Sequence, residues 1–349
     1  MRRNLWVTVV VMGVWSQGIF SPFAFPQDGT RVEAQESSDS LRVFATVQGH
    51  PIGLAEVRFL LSQVRPTTTG QQEALDQWLP PNSTTGPTSN PTEIPSEVVT
   101  AAVDQWIERF VVLSFLEREG LAVPRAKTEA DLKAWDDRLR ELGSSLDAYR
   151  ARSGITAESL FHFRHWELSW QSYLDRRVTD DSLQRFFQEN KADFDGTRKR
   201  VAHVVRVIPP LDPTRPNAVE ARADLEKAAQ AELANVRQQI VSGKKSFAEA
   251  AAEYSEGTSA EQGGDLGWIV REAPLSEVVS RAAFRLNRGE ISPPIVSPHG
   301  VHLLTVLEET PGPRTYEQVA EQVKNAAIQK LWRMIQEQES GNLSIQRHH

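Results

Sequence analysis

One stretch of the sequence, residues 247–304, restricts the fold of this chain more than any other. It contains two adjacent glycines followed by Asp-Leu-Gly at Gly263–Gly267, a Gly-Glu-Ile-Ser turn at Gly289–Ser292, and the tripeptide Gly300–His302 ahead of an apolar run. A second histidine, His203, lies upstream in a run of β-branched residues. Glycine permits positive φ and close backbone approach, so this stretch predicts tight turns between short strands and helices.

The residues around this stretch predict a small α+β domain, in which helices surround an antiparallel sheet. The predicted order is strand, long helix, short helix, glycine turn, helix, strand and strand. These elements are predicted at Val201–Ile208, Ala218–Ser242, Phe247–Tyr254, Gly263–Gly267, Leu275–Phe284, Ile295–Val296 and His302–Leu307.

Length and composition restrict the class of protein. A chain of 349 residues is expected to hold about two domains. The formal net charge of −7 argues against a nucleic-acid partner, because binding to phosphates requires a basic face. The sequence has no cysteine, which excludes disulfides, thiolate nucleophiles and zinc–thiolate sites within it.

Residues 1–27 are predicted to be an export signal. Arg2 and Arg3 precede the apolar segment Leu5–Val14, and Ser16–Gly18 interrupts the run before the roughly 20 apolar residues that a membrane span requires. Because the cleavage site is not defined by the pattern, an uncleaved anchor is the alternative. The prediction places the protein outside the cytoplasm, in the periplasm or cell envelope, either free or tethered to the membrane.

The region between this segment and the β-branched run is mostly helical in pattern. A short strand and a helix from Leu54 are followed by residues 65–96, which are rich in Pro, Thr, Ser and Gly and predict a disordered insertion. Residues 97–178 have helical periodicity. Thr128 is predicted to cap the helix that contains Trp135.

The histidines of the helical region are predicted to be structural. His50 follows a turn glycine, which favours a turn role over a ligand role. His162 and His165 share a helix face, but no third ligand completes a metal site at a characteristic spacing. We therefore predict no metal and no cofactor.

The glycine turns and the two histidines together resemble the parvulin family of peptidyl-prolyl isomerases. Upstream, Gly154–Leu160 and Val178–Phe187 resemble the helical domain of exported foldases of the SurA and PrsA type. The resemblance implies an α+β parvulin domain, with an antiparallel sheet and surrounding helices, plus a mostly α-helical SurA-N-like chaperone domain.

The same resemblance implies a domain organisation. A helical chaperone domain is predicted at residues 38–190 and a parvulin domain at residues 198–309. The amphipathic helix at residues 315–340 is predicted to pack on the helical domain, and dimerisation through its apolar face is the alternative. A monomer and a dimer are therefore both compatible with the sequence.

The family's motif positions fall on particular residues of this chain. His203 and His302 match its paired histidines, which the resemblance implies are hydrogen-bonded to each other beneath the site, with neither acting as a nucleophile. Ser297 matches a hydroxyl position before the second histidine. Leu266 and Leu275 match apolar positions of the cup that holds the proline ring.

Two positions depart from the family pattern. The family's Cys or Asp before the glycine turn meets Glu256 or Gly257, and only Glu256 can supply a polar group. Val279 stands where the family has Phe or Met, which predicts a looser cup that Trp268 partly fills. A phosphate-binding basic cluster has no counterpart in the sequence.

The resemblance implies a peptidyl-prolyl cis-trans isomerase and chaperone that assists exported proteins by twisting Xaa-Pro amides without breaking bonds. Its partners are then unfolded or extended Pro-containing polypeptides. The alternative is a non-catalytic peptide-binding chaperone or adaptor with a degenerate parvulin domain. No pattern in the sequence supports a hydrolase or metalloenzyme.

Overall fold

The computed structural model describes residues 42–63, 94–210, 217–271 and 275–348. The chain forms two compact units, one from residues up to Thr179 together with those from Asn325 onward, and one from Asp180–Lys324. The predicted signal at residues 1–27 and nearly all of the predicted insertion at residues 65–96 lie outside the described residues. Within the described ranges, no helix has the length and apolar character needed to cross a membrane.

The first unit is mainly helical and contains a small sheet with strand order β2-β1-β7, paired antiparallel. Its elements are β1 (Val43–Val47), β2 (His50–Gly53), α1 (Leu54–Ser62), α2 (Ser96–Arg118), α3 (Arg125–Glu141), α4 (Leu146–Ser153), α5 (Ala157–Arg177), the last part of α11 (Tyr316–Glu339) and β7 (Ile345–Arg347).

Aromatic side chains fill much of the interior of the first unit. Trp166 and Trp170 on α5 both pack edge-on against Trp332 of α11, with ring centroids 6.1 and 5.2 Å apart. Ile335, which is fully buried, joins the same core. The C-terminal end of α11 is therefore part of the hydrophobic core of this unit.

The predicted helix cap at Thr128 is wrong. Helix α3 already begins at Arg125, directly after Pro124, whose φ of −58° is compatible with a helix start. Thr128 is fully buried one turn later, where its hydroxyl hydrogen-bonds Nδ1 of His165 at 2.8 Å. The Thr128 hydroxyl therefore forms a tertiary hydrogen bond and does not cap the helix.

The second unit is built on a four-stranded antiparallel sheet with strand order β4-β3-β6-β5. Its elements are α6 (Asp180–Glu189), α7 (Lys191–Phe194), β3 (Arg198–Val207), α8 (Ala218–Val241), α9 (Phe247–Tyr254), β4 (Asp265–Val270), α10 (Glu277–Arg285), β5 (Ile295–Ser297), β6 (Gly300–Thr310) and the first part of α11.

Each face of this sheet has its own core. Val204 and Leu303 pack on one face with the buried side chains of α8 and α9. Val201 and Leu304 pack on the opposite face with α10, including Phe284. This alternation follows from the two-residue period of a strand. The predicted fold class, an α+β domain beside a mainly helical one, is confirmed, whereas the exact domain boundaries at residues 190, 198 and 309 stay predictions.

Candidate active site

The pairing of β3 with β6 brings the two motif histidines together. His203 lies opposite Leu304 and His302 opposite Val205, so the two histidines are diagonal neighbours on one face of the sheet. Their rings are stacked, with centroids 5.6 Å apart and planes at 28°. Residues that lie 99 positions apart in the sequence thus form one polar feature.

The hydrogen bonds of His302 differ from those that the resemblance implies. Nε2 of His302 lies 2.8 Å from Oγ of Ser297, and the backbone N–H of His299 donates to the same Oγ at 3.1 Å. Nδ1 of His302 is buried and has no hydrogen-bond partner in the described part of the chain. The expected bond between His203 and His302 is therefore not formed, because the rings stack and the other nitrogen of His302 is bonded to Ser297.

Both imidazoles are held in their neutral form at neutral pH. Burial, with smaller contributions from His203 and His299, lowers the pKa of His302 to about 4. Burial also lowers the pKa of His203. Desolvation disfavours the charged form of an imidazole, so the floor of the site is polar but uncharged.

The glycine turn determines where β3 and β4 meet. The backbone N–H of His203 donates to the carbonyl of Gly264 at 2.8 Å, and a Cβ on Gly264 would lie 2.2 Å from the carbonyl oxygen of His203. The Asp265 carboxylate accepts hydrogen bonds from Arg200 at 2.6 Å and from the backbone of Gly267 at 2.8 Å. The motif residues of this turn therefore position the strand that carries His203.

A cleft of about 350 Å³ opens beside the histidine pair. Leu275 and Val279, both predicted as substrate-binding residues, line it together with the two histidines. Val279 is also part of the core, with 4% of its surface exposed. The lining is mainly apolar, and it includes residues that sequence analysis did not single out, namely Val205, Ile208, Ser276, Pro298 and His299. The alternation along β3 is the signal from which Val205 could have been found.

Glu256 and Gly257 lie beside β3, but neither lines the cleft. The Glu256 carboxylate accepts a hydrogen bond from the backbone N–H of Val207 at 2.7 Å and pairs with Arg206 at 3.0 Å. A Cβ on Gly257 would lie 2.8 Å from Val205 and 3.0 Å from Nε2 of His203. Side chains of β3 therefore leave no room for a side chain at Gly257.

Two further predicted residues lie on β4 and do not line the cleft. Leu266 is half-buried, whereas Trp268 is 44% exposed. The guanidinium carbon of Arg198 lies over the Trp268 ring, 5.6 Å from the ring centre. Ile269, between Trp268 and Val270, takes the core-facing side of the strand. The roles of Leu266, Trp268 and Glu256 stay predictions.

These features, a neutral histidine pair on an antiparallel sheet beside an apolar cleft, agree with the family model that the chain matches. Residues 203–308 match the Rotamase model, described as the PPIC-type PPIASE domain. The matched range starts at the first histidine and contains the glycine turn, α10 and His302. The chain thus contains a parvulin-type peptidyl-prolyl isomerase domain.

Individual relatives extend this result. The chain is 35% identical over 95 residues to the foldase protein PrsA of Bacillus subtilis (strain 168), and this alignment covers 27% of this chain and 31% of the relative. It is 28% identical over 218 residues to the chaperone SurA of Chromohalobacter salexigens, which covers 59% of this chain and 46% of that relative. The predicted resemblance to SurA- and PrsA-type foldases is confirmed, although the matches span less than half the length of these two relatives.

One solved structure that aligns with the chain is the peptidylprolyl isomerase PrsA from Bacillus anthracis. It is 16% identical in sequence, and the alignment covers 68% of this chain and 96% of that chain with a TM-score of 0.28.

Proposed function

We propose that the protein is a peptidyl-prolyl cis-trans isomerase that also acts as a folding chaperone. The observation that carries this proposal is the cleft in which Leu275 and Val279 lie beside the neutral pair His203 and His302. Xaa-Pro bonds interconvert over tens to hundreds of seconds without a catalyst, which is slow enough to limit folding. An apolar cleft next to a polar floor suits this reaction.

The reaction requires the amide to twist about its C–N bond, against a barrier of about 18–20 kcal/mol. The apolar walls of the cleft, which include Leu275, Val279 and Ile208, hold the proline ring. Removal of water from the carbonyl weakens the resonance that keeps the amide planar, because a charge-separated form is less stable in apolar surroundings. No covalent bond to the protein is formed, and no group has to titrate at neutral pH.

Within this mechanism Ser297 is a positioning residue. Its hydroxyl connects the backbone N–H of His299 to Nε2 of His302, which fixes the plane of that ring. Serine at this position thus orients the floor of the site without touching the proline. Glu256 also acts indirectly. Its carboxylate pairs with Arg206 and accepts a hydrogen bond from the backbone N–H of Val207 at the end of β3.

The partners proposed for the whole protein are unfolded or extended polypeptides that contain proline. The similarity to the foldase protein PrsA and the chaperone SurA supports this class of partner. Export to the periplasm or cell envelope, through the signal predicted at residues 1–27, is part of the same proposal. N-terminal sequencing of the protein from cell fractions tests it, since retention of Met1 in a cytosolic fraction contradicts export.

The second candidate function is peptide binding without catalysis. Glu256 does not line the cleft, and Gly257 has no room for a side chain, so the family's acidic or thiol group has no substitute in the described part of the cleft. An isomerase needs selective stabilisation of the twisted amide, whereas a binding module needs only the apolar walls.

A protease-coupled assay with a cis-prolyl peptide distinguishes the two functions. We expect His302→Ala to lower kcat/KM about tenfold, which corresponds to about 1.4 kcal/mol of transition-state stabilisation. His348→Ala, which removes a histidine near the C-terminus, is the matched control and should keep wild-type activity. A wild-type protein that prevents aggregation of an unfolded client but accelerates no Xaa-Pro peptide would establish the binding function instead.

A further inference from the structure

A second group of chemically active side chains lies within the first unit. One nitrogen or oxygen atom of each of His50, Glu158 and His162 lies within 4.8 Å of the corresponding atoms of the other two. Glu158 and His162 are four residues apart on α5, so they share one helix face. His50 begins β2, and its Nδ1 is 3.1 Å from Oε1 of Glu158.

Aromatic contacts hold the two imidazoles of this group in place. His50 stacks on Phe110 at 5.6 Å and meets His162 edge-on at 4.2 Å. His162 also contacts Phe110, at 5.2 Å between ring centres. Nδ1 of His162 is buried and has no hydrogen-bond partner within the described ranges. Burying a polar atom without a hydrogen-bond partner costs stability. No structural hydrogen bond therefore accounts for the position of this nitrogen.

We propose that His50, Glu158 and His162 bind one divalent transition-metal ion, for which Zn²⁺ is the probe. Two imidazoles and one carboxylate are a donor set that Zn²⁺ uses, with a water molecule in the fourth position. Tetrahedral bonds of about 2.0–2.2 Å place ligand atoms about 3.3–3.6 Å apart, so shifts of about 1 Å in the side-chain atoms complete the geometry.

The surroundings of the group contain charges of both signs and an apolar wall. Around His162, the carboxylates of Glu158 and Glu117 favour a positive charge, whereas His50 and Arg125 oppose it. Phe110 forms an apolar wall next to both rings, as is common around metal sites.

A metal ion here would connect two segments that are distant in the sequence. His50 belongs to the β1–β2 hairpin, whereas Glu158 and His162 belong to the first two turns of α5. The proposed site lies in the helical unit and does not depend on the proposed isomerase function. Its expected effect is greater thermal stability of the first unit.

Isothermal titration of the chelator-treated full chain with Zn²⁺ tests the proposal. We expect one equivalent to bind, and we expect His162→Gln and Glu158→Gln each to weaken binding by roughly tenfold or more. Titration with Co²⁺ should give visible absorption bands of the intensity typical of four-coordinate cobalt, and these should be lost in both variants.

The terminal histidines provide the matched control. The double variant His348→Ala/His349→Ala removes two histidines outside the proposed site and should bind Zn²⁺ as the wild type does. Glu158 is 67% exposed, so Glu158→Gln should keep the fold even where His162→Gln does not, which circular dichroism in the presence of chelator verifies. Absence of stoichiometric binding, or unchanged binding in a folded Glu158→Gln variant, would overturn the proposal.

Discussion

Gly264 helps to fix the position of the His203 backbone. Its φ is +81°, and its α-carbon faces the carbonyl oxygen of His203 so closely that a Cβ would lie 2.2 Å away. The hydrogen bond from the backbone N–H of His203 to the carbonyl of Gly264 then aligns β3 beside the glycine turn. The double glycine is therefore a requirement of the site's geometry and contributes no chemical group to it.

Gly264→Ala is expected to lower the free energy of unfolding of the second unit by about 3 kcal/mol or more, from left-handed strain plus a backbone clash. Gly243→Ala is the matched control, because Gly243 has a φ of +74° but nothing within 4 Å of a Cβ. It should cost about 1 kcal/mol, from strain alone. Urea unfolding of both variants measures the difference, and equal losses would show that the close approach to His203 is unimportant.

The lowered pKa of His302 makes stability depend on pH. The unfolded chain takes up a proton near the ordinary pKa of about 6.5, whereas the folded site does so only at about 4. The unfolded state thus binds more protons between these values, and stability falls as the pH decreases from about 6.5 to about 4, by about 3 kcal/mol at most. Above pH 6.5 this group has no effect.

Unfolding free energies of the wild type and of His302→Gln, measured by urea titration at several pH values, test this dependence. The variant should show a weaker loss of stability between pH 6.5 and pH 4, since the glutamine amide does not titrate. Identical slopes would show that His302 is protonated in the folded protein at an ordinary pKa.

Helix α9 carries the glycine turn at its C-terminal side, and its start is fixed by a capping box. Oγ of Ser246 accepts from the backbone N–H of Glu249 at 3.2 Å, and the Glu249 carboxylate accepts from the backbone N–H of Ser246 at 2.7 Å. Ala250 and Ala251, both fully buried, then pack against the sheet core. The cap thus supports the start of a helix of only eight residues.

Ser246→Ala is expected to destabilise the second unit by about 1 kcal/mol, the usual cost of losing an N-cap. Ser242→Ala is the comparison variant, because the Ser242 hydroxyl donates to the Gln239 carbonyl at an exposed helix end. It should change stability by less than about 0.5 kcal/mol. Thermal unfolding followed by circular dichroism gives both values, and an equal effect of the two substitutions would contradict the role of the cap.

The chain as a whole consists of two units that each contain their own cores. The second unit, Asp180–Lys324, contains both sheet cores and every residue that lines the cleft. The first unit includes Trp332 and Ile335 from the end of α11, which follow the second unit in the sequence. One unit is therefore continuous in the chain, and the other is interrupted by it.

Truncation after Lys324 should consequently affect the two units differently. We expect isomerase activity to be retained, because the cleft is unchanged, while the first unit loses about 3–5 kcal/mol or more with the removal of Trp332. Differential scanning calorimetry together with the peptide assay measures both effects. Loss of activity with an unaffected thermal transition of the first unit would contradict this division.

Much of the site could be predicted from the sequence because its motifs are local. The glycine turn and the two histidines have fixed spacings, and strand alternation places Val205 on the same face as His203. The stacking of His203 on His302 could not be predicted, since it depends on the register of β3 with β6. The surroundings of Glu256 and Trp268 could not be predicted from spacing alone, because the ion pair of Glu256 with Arg206 and the contact of Trp268 with Arg198 join different elements.

The sequence by itself determined the class of domain, since periodicity, turn glycines and paired histidines are properties of short segments. Tertiary structure alone decided that Ser297 is bonded to His302, that Gly257 has no room for a side chain, and that His50 lies beside Glu158 and His162. Each of these contacts joins residues from different elements. Their distances depend on packing and strand register, which no local pattern encodes.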